Sequence, residues 1–185
     1  LIACIPQSQE YIAYADGRWR ELIERYQPAV LWNDIGYPRL ANVPRLMADY
    51  YNRCPDGVIN DRFVQHKLSK SSIQFWNSPP GRWLLEHLAG HGLKHKTLKP
   101  RVPNLVHYDF STPEYATHDQ IMPYKWEATR GLGFSFGYNQ DESPDKTLSV
   151  RELVHFLVDV VSKNGNLLLN IGPMADGTIP PIQME

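Results

Sequence analysis

The chain has 185 residues and a formal net charge of −1, with 42% hydrophobic and 21% charged residues. This balance excludes a disordered or fibrous chain, and it makes no electrostatic case for nucleic acid or an anionic membrane as partner. The length supports one core of ordinary size but falls short of the roughly 250 residues of a complete eight-fold βα barrel, and no apolar run approaches the roughly 20 residues of a membrane span.

The N-terminal LIACIPQSQE lacks the basic start and long apolar region of a signal peptide. It reads as the interior of a longer soluble chain, as does the terminal PPIQME, so localisation is left open. Cys4 and Cys54 make no disulfide framework and are expected as lone buried or partly buried thiols. Ten Tyr and five Trp suit stacking against sugar rings, but core packing uses the same residues.

In chain order, the first predicted helix covers 12–26, where Ile12, Ala15, Trp19, Leu22, Ile23 and Tyr26 recur at helical spacing. Pro28 ends it. AVLW at 29–32 reads as a parallel strand buried on both faces, running into the polar turn NDIGYP. Pro44 opens a second helix with Leu46, Met47, Tyr50 and Tyr51 on one side. GVIND at 57–61 is the next strand, followed by Arg62. From about 63 to 104 the alternation is lost. This segment carries seven Lys and Arg against one acid, Glu86, and has a short helical candidate at 83–88. It is read as an irregular basic insertion. Regular elements resume with LVHYDFS at 105–111, a strand at 124–127, and the apolar GLGFSFGYN at 131–139. The helix at 150–163 starts in a capping box of Ser149 and Glu152, and Val150, Leu153, Val154, Leu157, Val158 and Val161 form its expected buried stripe. LLLNIGP at 167–173 is the last strand, followed by the turn ADGT.

Short apolar strands thus alternate with amphipathic helices, the pattern of an α/β fold with a parallel sheet. An open doubly wound sheet and a closed barrel share this pattern. No glycine-rich phosphate loop follows a strand, which argues against nucleotide binding. Several strands end in acids, and in parallel α/β folds the strand C-termini carry the active site. Asp34 follows a strand by two residues beside Trp32, though it also fits a turn or cap. Asp61 and Arg62 repeat the strand-end pattern, or tie down a loop. Glu114 follows HYDFSTP and equally suits a helix first turn. Glu127 follows Lys125 and Trp126 and equally suits a structural ion pair.

Retaining glycoside hydrolysis needs two such carboxylates about 5–5.5 Å apart, one as nucleophile and one as proton donor. Weaker candidates are His87, His91 and His95, whose spacing suits a metal only on a continuous helix, which Gly90 and Gly92 oppose. Neither HExxH nor CxxC occurs. Asn166 and Asn170 flank an apolar run, where bonding to a turn is the plainer reading.

The chain resembles glycoside hydrolase family 29, the alpha-L-fucosidases. The resemblance rests on RELIERYQPAVLWNDIGYP (20–38), GVINDR (57–62), HYDFSTPEY (107–115), YKWEATRGLGFSFGYN (124–139) and LVDVVSKNGNLLLNIGPMADGTIP (157–180). It implies the C-terminal part of a (β/α)8 TIM-like barrel, incomplete here: N-terminal barrel strands and a C-terminal β-sandwich are expected to be missing. It implies retaining release of L-fucose from oligosaccharides or glycoconjugates, without metal or organic cofactor. By its motif Asp34 matches the nucleophile and Glu114 the acid/base, with Glu127 the alternative acid. Trp32, Arg62 and Phe136 match sugar-pocket positions, Phe136 facing the fucose methyl group. The expected partner is a fucosylated glycan, and oligomers are possible. The competing readings are a catalytically weak or inactive carbohydrate-binding homologue, and a retaining glycosidase for a related sugar such as galactose.

Overall fold

The computed structural model describes residues 5–65, 75, 78–81, 83–84, 87 and 106–184. The chain divides into two compact units, Leu1–Tyr108 and Asp109–Glu185.

In the first unit, helix α1 (Gln9–Tyr26) starts one turn earlier than hydrophobic spacing predicts, because the Ser8 side chain accepts the Tyr11 N–H and caps it. Of its predicted stripe, Ile12 and Ile23 are buried and Ala15 and Trp19 pack beside them, whereas Leu22 and Tyr26 are exposed. Gln27, in a left-handed conformation, ends the helix. Strand β1 (Val30–Leu31) pairs in parallel with β2 (Val58–Ile59), joined through helix α2 (Val43–Arg53). Leu31 is sealed, but Val30 is 45% exposed, so β1 is not covered on both faces as its apolar run predicts. Asn42 caps α2, with Pro44 in its first turn, where a missing N–H costs nothing. The face of α2 carrying Leu46, Met47 and Tyr50 closes the core with Leu31, Ile59 and Phe63. The Tyr50 hydroxyl reaches the Pro28 carbonyl at 2.9 Å, and Gly57 leaves it room: a Cβ there would stand 2.3 Å from that oxygen.

Phe63, at the start of the predicted insertion, is built into this core against Trp19 and Tyr37, with ring centroids 5.4 and 5.7 Å away. Of the helical candidate at 83–88, Trp83, Leu84 and His87 are helical; Cys4, His91 and His95 lie outside the described residues. Cys54 is buried and free.

The second unit is a three-stranded parallel sheet in the order β3 (Phe110–Ser111), β4 (Lys125–Gly131), β5 (Gly165–Asn170). Helix α3 (Val150–Ser162) connects β4 to β5, and its capping box forms in both directions. Strand β4 runs four residues past the predicted end, and the apolar stretch that continues from it over 132–139 is loop. Strand β5 begins at Gly165, where the Trp126 indole occupies the place of a side chain: a Cβ on Gly165 would lie 2.5 Å from that ring. The expected stripe of α3 is corrected in part. Val160, Phe156 and Leu167 pack with Trp126, while Val150, Val154, Leu157, Val158 and Val161 are exposed. The sheet meets only one side of this broadly apolar helix, and no described residue covers the other.

Among the described residues no helix is long and apolar enough to cross a membrane.

Candidate functional site

In the first unit the ends of β1 and β2 bring Trp32, Asp34 and Arg62 together. Asp34 Oδ1 accepts from Arg62 Nη1 at 2.8 Å, and from the Ile35 N–H, also at 2.8 Å. The Arg62 guanidinium lies over the Trp32 ring, 4.9 Å from its centroid, a cation–π contact that helps hold the cation beside the carboxylate. Arg62 is largely covered at 18% side-chain exposure and Asp34 is open at 55%, so the arginine is the fixed partner and the carboxylate faces outward.

The loop that carries Asp34 is unusually well tied. Ile35 has φ +66° and Gly36 φ +105°. A β-branched residue in the left-handed region is held there only by its surroundings. Tyr37 N–H donates to the Val64 carbonyl, and the Gln65 side chain donates to the carbonyls of Pro38 and Ala41. The Tyr37 hydroxyl donates to Asp16 Oδ1 at 2.7 Å, tying the loop to α1. Burial, with that bond to Asp16, pushes the Tyr37 hydroxyl pKa far above its ordinary 10.0. A cavity of about 280 Å³ lies alongside, lined by Trp19, Asp34 and Tyr37 among others.

In the second unit Glu114 is exposed after β3 and bridges to Thr129 of β4. The next residue, Tyr115, has φ +47°. Both candidate carboxylates, Asp34 and Glu114, are therefore followed by a bulky residue in the left-handed region. Backbone bonds from Tyr115 N–H to Thr129 and from Thr129 N–H to Pro113, and a bond from Gly131 N–H to the Tyr115 hydroxyl, fix this turn. Tyr115 meets the Phe136 ring at a steep angle, centroids 5.1 Å apart, which links Phe136 to Glu114 through one residue. The Asn170 side chain grips the Phe136 carbonyl and also donates to Ile171, so the turn-bonding reading of Asn170 stands with an added anchor.

Glu127 lies inside β4, buried, in register with Asn166 of β5, whose amide donates to Glu127 Oε2 at 2.9 Å. Lys125 bonds Asn164. Asp61 is half-buried in the turn after β2. His87 stacks on Trp83, with centroids 5.2 Å apart. Among the described residues no group of three or more His, Cys, Asp and Glu is placed to hold a metal.

Sequence reasoning missed Asn33, Asn60 and Tyr115. A signal for the first two was present: the dipeptide Asn-Asp recurs at both strand ends, as Asn33-Asp34 and Asn60-Asp61.

The family profile described as Alpha-L-fucosidase matches residues 4–185. The chain belongs to the alpha-L-fucosidase family. It is 32% identical to the plasma alpha-L-fucosidase of Rattus norvegicus over 169 residues, covering 89% of this chain and 30% of that protein. The chain thus spans about a third of the length of such a fucosidase. Two solved structures of the Thermotoga maritima alpha-fucosidase each cover 96% of this chain and 32% of their own, one with a mechanism-based inhibitor (40% identity, TM-score 0.66) and one with fucose (39% identity, TM-score 0.64). Among the described residues, the Asp34–Arg62–Trp32 group and the Glu114–Tyr115–Phe136 group each join polar and aromatic side chains near strand ends.

Proposed function

We propose that the full-length protein is a retaining alpha-L-fucosidase acting on terminal fucosides of oligosaccharides or glycoconjugates. The observation that carries this reading is the Asp34 carboxylate at the end of a parallel strand, paired at 2.8 Å with Arg62 in a chain of the fucosidase family. Asp34 is the nucleophile. It attacks the anomeric carbon while Glu114 protonates the departing oxygen; water then cleaves the fucosyl-enzyme with Glu114 as base. Two carboxylates suffice for these steps, and no metal or organic cofactor enters them. Trp32 and Arg62 line the sugar site beside the nucleophile, and Phe136 offers an apolar surface to the fucose methyl group.

Glu114 is favoured over Glu127 as the acid/base because a proton donor must reach the leaving oxygen. Glu114 lies exposed at a strand end, whereas the Glu127 carboxylate is buried and bonded to Asn166. The order of βα units and the family support the finer fold: part of a (β/α)8 catalytic barrel, with the basic segment near 63–104 as an insertion into it.

The test is Asp34→Gly in the full-length protein, assayed on an aryl alpha-L-fucoside. Turnover should fall by at least about 1,000-fold, and azide should restore part of it by occupying the space of the lost carboxylate. Retention of full activity would remove Asp34 from the mechanism. Faster hydrolysis of an aryl galactoside than of the fucoside would replace the sugar, and fucose binding without turnover would replace catalysis by recognition.

A further inference from the structure

The geometry points to Asn33 and Asn60 as positioning residues that aim the Asp34 carboxylate; this rests on Asp34 being the nucleophile. Asn33 is 7% exposed and Asn60 is fully buried. They clasp each other across the ends of β1 and β2. The Asn33 backbone N–H donates to Asn60 Oδ1 at 3.1 Å, and Asn60 Nδ2 donates to the Asn33 carbonyl at 2.9 Å. The asparagine at one strand end thus has both its main-chain polar groups gripped by the asparagine at the other.

The Asn33 side chain then points into the loop. Its Nδ2 lies within hydrogen-bond distance of three carbonyls, those of Asp34 at 3.2 Å, Gly36 at 3.0 Å and Arg62 at 2.8 Å, so its two hydrogens serve three acceptors with one of them shared. A trans peptide is planar, and its C=O and N–H point in opposite directions. The bond from Asn33 to the Asp34 carbonyl therefore sets the direction of the Ile35 N–H on the same peptide. That N–H is one of the two donors on Asp34 Oδ1. The other is the Arg62 guanidinium, and Asn33 holds the Arg62 backbone as well. Both donors that orient the carboxylate trace back to one buried amide. Asn33 also binds the carbonyls on either side of Ile35, and so maintains the left-handed φ of +66° that this arrangement requires.

A buried and satisfied asparagine pair also serves plain stability, so the test must separate aiming from folding. Asn33→Ala is made in the full-length protein and again in the Asp34→Gly background, where azide replaces the carboxylate. With Asp34 present, kcat on an aryl alpha-L-fucoside should drop about 100-fold, the scale of a 1 Å misplacement, with KM changed less than about threefold. In the Asp34→Gly background the azide-dependent rate should fall no more than about threefold, because there is no carboxylate left to aim. Asn60→Ala keeps the Asn33 amide and should show the same asymmetry at about 10-fold, which keeps the proposal open to refutation if Asn33→Ala does not fold. Equal losses in both backgrounds, or no loss with Asp34 present, overturn the proposal alone. Full turnover by Asp34→Gly overturns the nucleophile assignment and the proposal with it.

Discussion

Glu114 and Glu127 lie thirteen positions apart in the same unit, and their surroundings give them different work. Glu127 shares a buried strand position with Asn166, while Glu114 precedes a left-handed Tyr115 at an exposed turn. Azide separates acid/base from nucleophile by product stereochemistry. If Glu114 is the acid/base, Glu114→Ala still forms the fucosyl-enzyme from a substrate with a good leaving group, and azide attacks that intermediate to give the alpha-fucosyl azide. Asp34→Gly forms no such intermediate, so direct attack gives the beta anomer. The full-length Glu114→Ala variant should lose about 100-fold or more in kcat on poor leaving groups, and its azide product is assigned by NMR. Glu127→Gln should form no azide adduct and lose thermal stability instead, since its side chain is fixed in the sheet. An alpha-fucosyl azide from Glu127→Gln and none from Glu114→Ala would exchange the two roles.

At the scale of elements, the loop after β1 is joined to α1 by Tyr37 and Asp16, and this joint has a pH signature. Burial and the bond to Asp16 raise the Tyr37 pKa well above 10.0, so the folded state holds this proton more tightly than the unfolded state does. The stability it contributes is complete below the unfolded value of about 10 and is lost as pH rises past it towards the folded value. Tyr37→Phe should remove about 1 kcal/mol near neutral pH through the lost hydrogen bond, and should flatten the decline in melting temperature between about pH 9 and pH 11. An equally steep alkaline decline in the variant would show that Tyr37 is not the titrating group.

The same scale shows what was legible in the sequence and why the remainder was not. The capping box of Ser149 and Glu152 and the buried face of α2 follow from local spacing, and both form. Apolar spacing places the start of α1 too late because its cap, Ser8, precedes the first residue of the stripe by four positions, and it does not reveal Gly165 at the start of β5, which packs against Val160 and against Trp126, 39 residues earlier. Asp34, Arg62 and Trp32 stand at strand ends as acid, cation and aromatic, but only the family resemblance singles them out from the plainer readings of a turn, a loop tie and a core ring. Their grouping depends on the register Val30↔Val58, Leu31↔Ile59, which no local pattern encodes. The asparagines that hold the group were passed over because an isolated Asn after a strand reads as a turn residue.

At the scale of the whole molecule, the least expected feature is the open apolar side of α3. Val150, Val154, Leu157, Val158 and Val161 recur at helical spacing, so their exposure is a continuous stripe rather than scattered residues, and Leu168 and Ile171 add to the apolar surface of the same unit. Contiguous apolar surface of this kind drives association in water. Val30 leaves a further apolar side chain open on a two-residue strand of the other unit. A polypeptide of residues 1–185 by itself should therefore self-associate as its concentration rises, and should hydrolyse an aryl alpha-L-fucoside at less than about 1% of the full-length rate. Light scattering with active-site titration checks both. Replacing Val154 and Val158 by Glu should reduce the association, because it charges the middle of the stripe without touching Trp126 or Val160 in the packed side of the helix. A monodisperse, fully active monomer from residues 1–185 would mean that the stripe is tolerated in water and that these residues alone hold a complete sugar site.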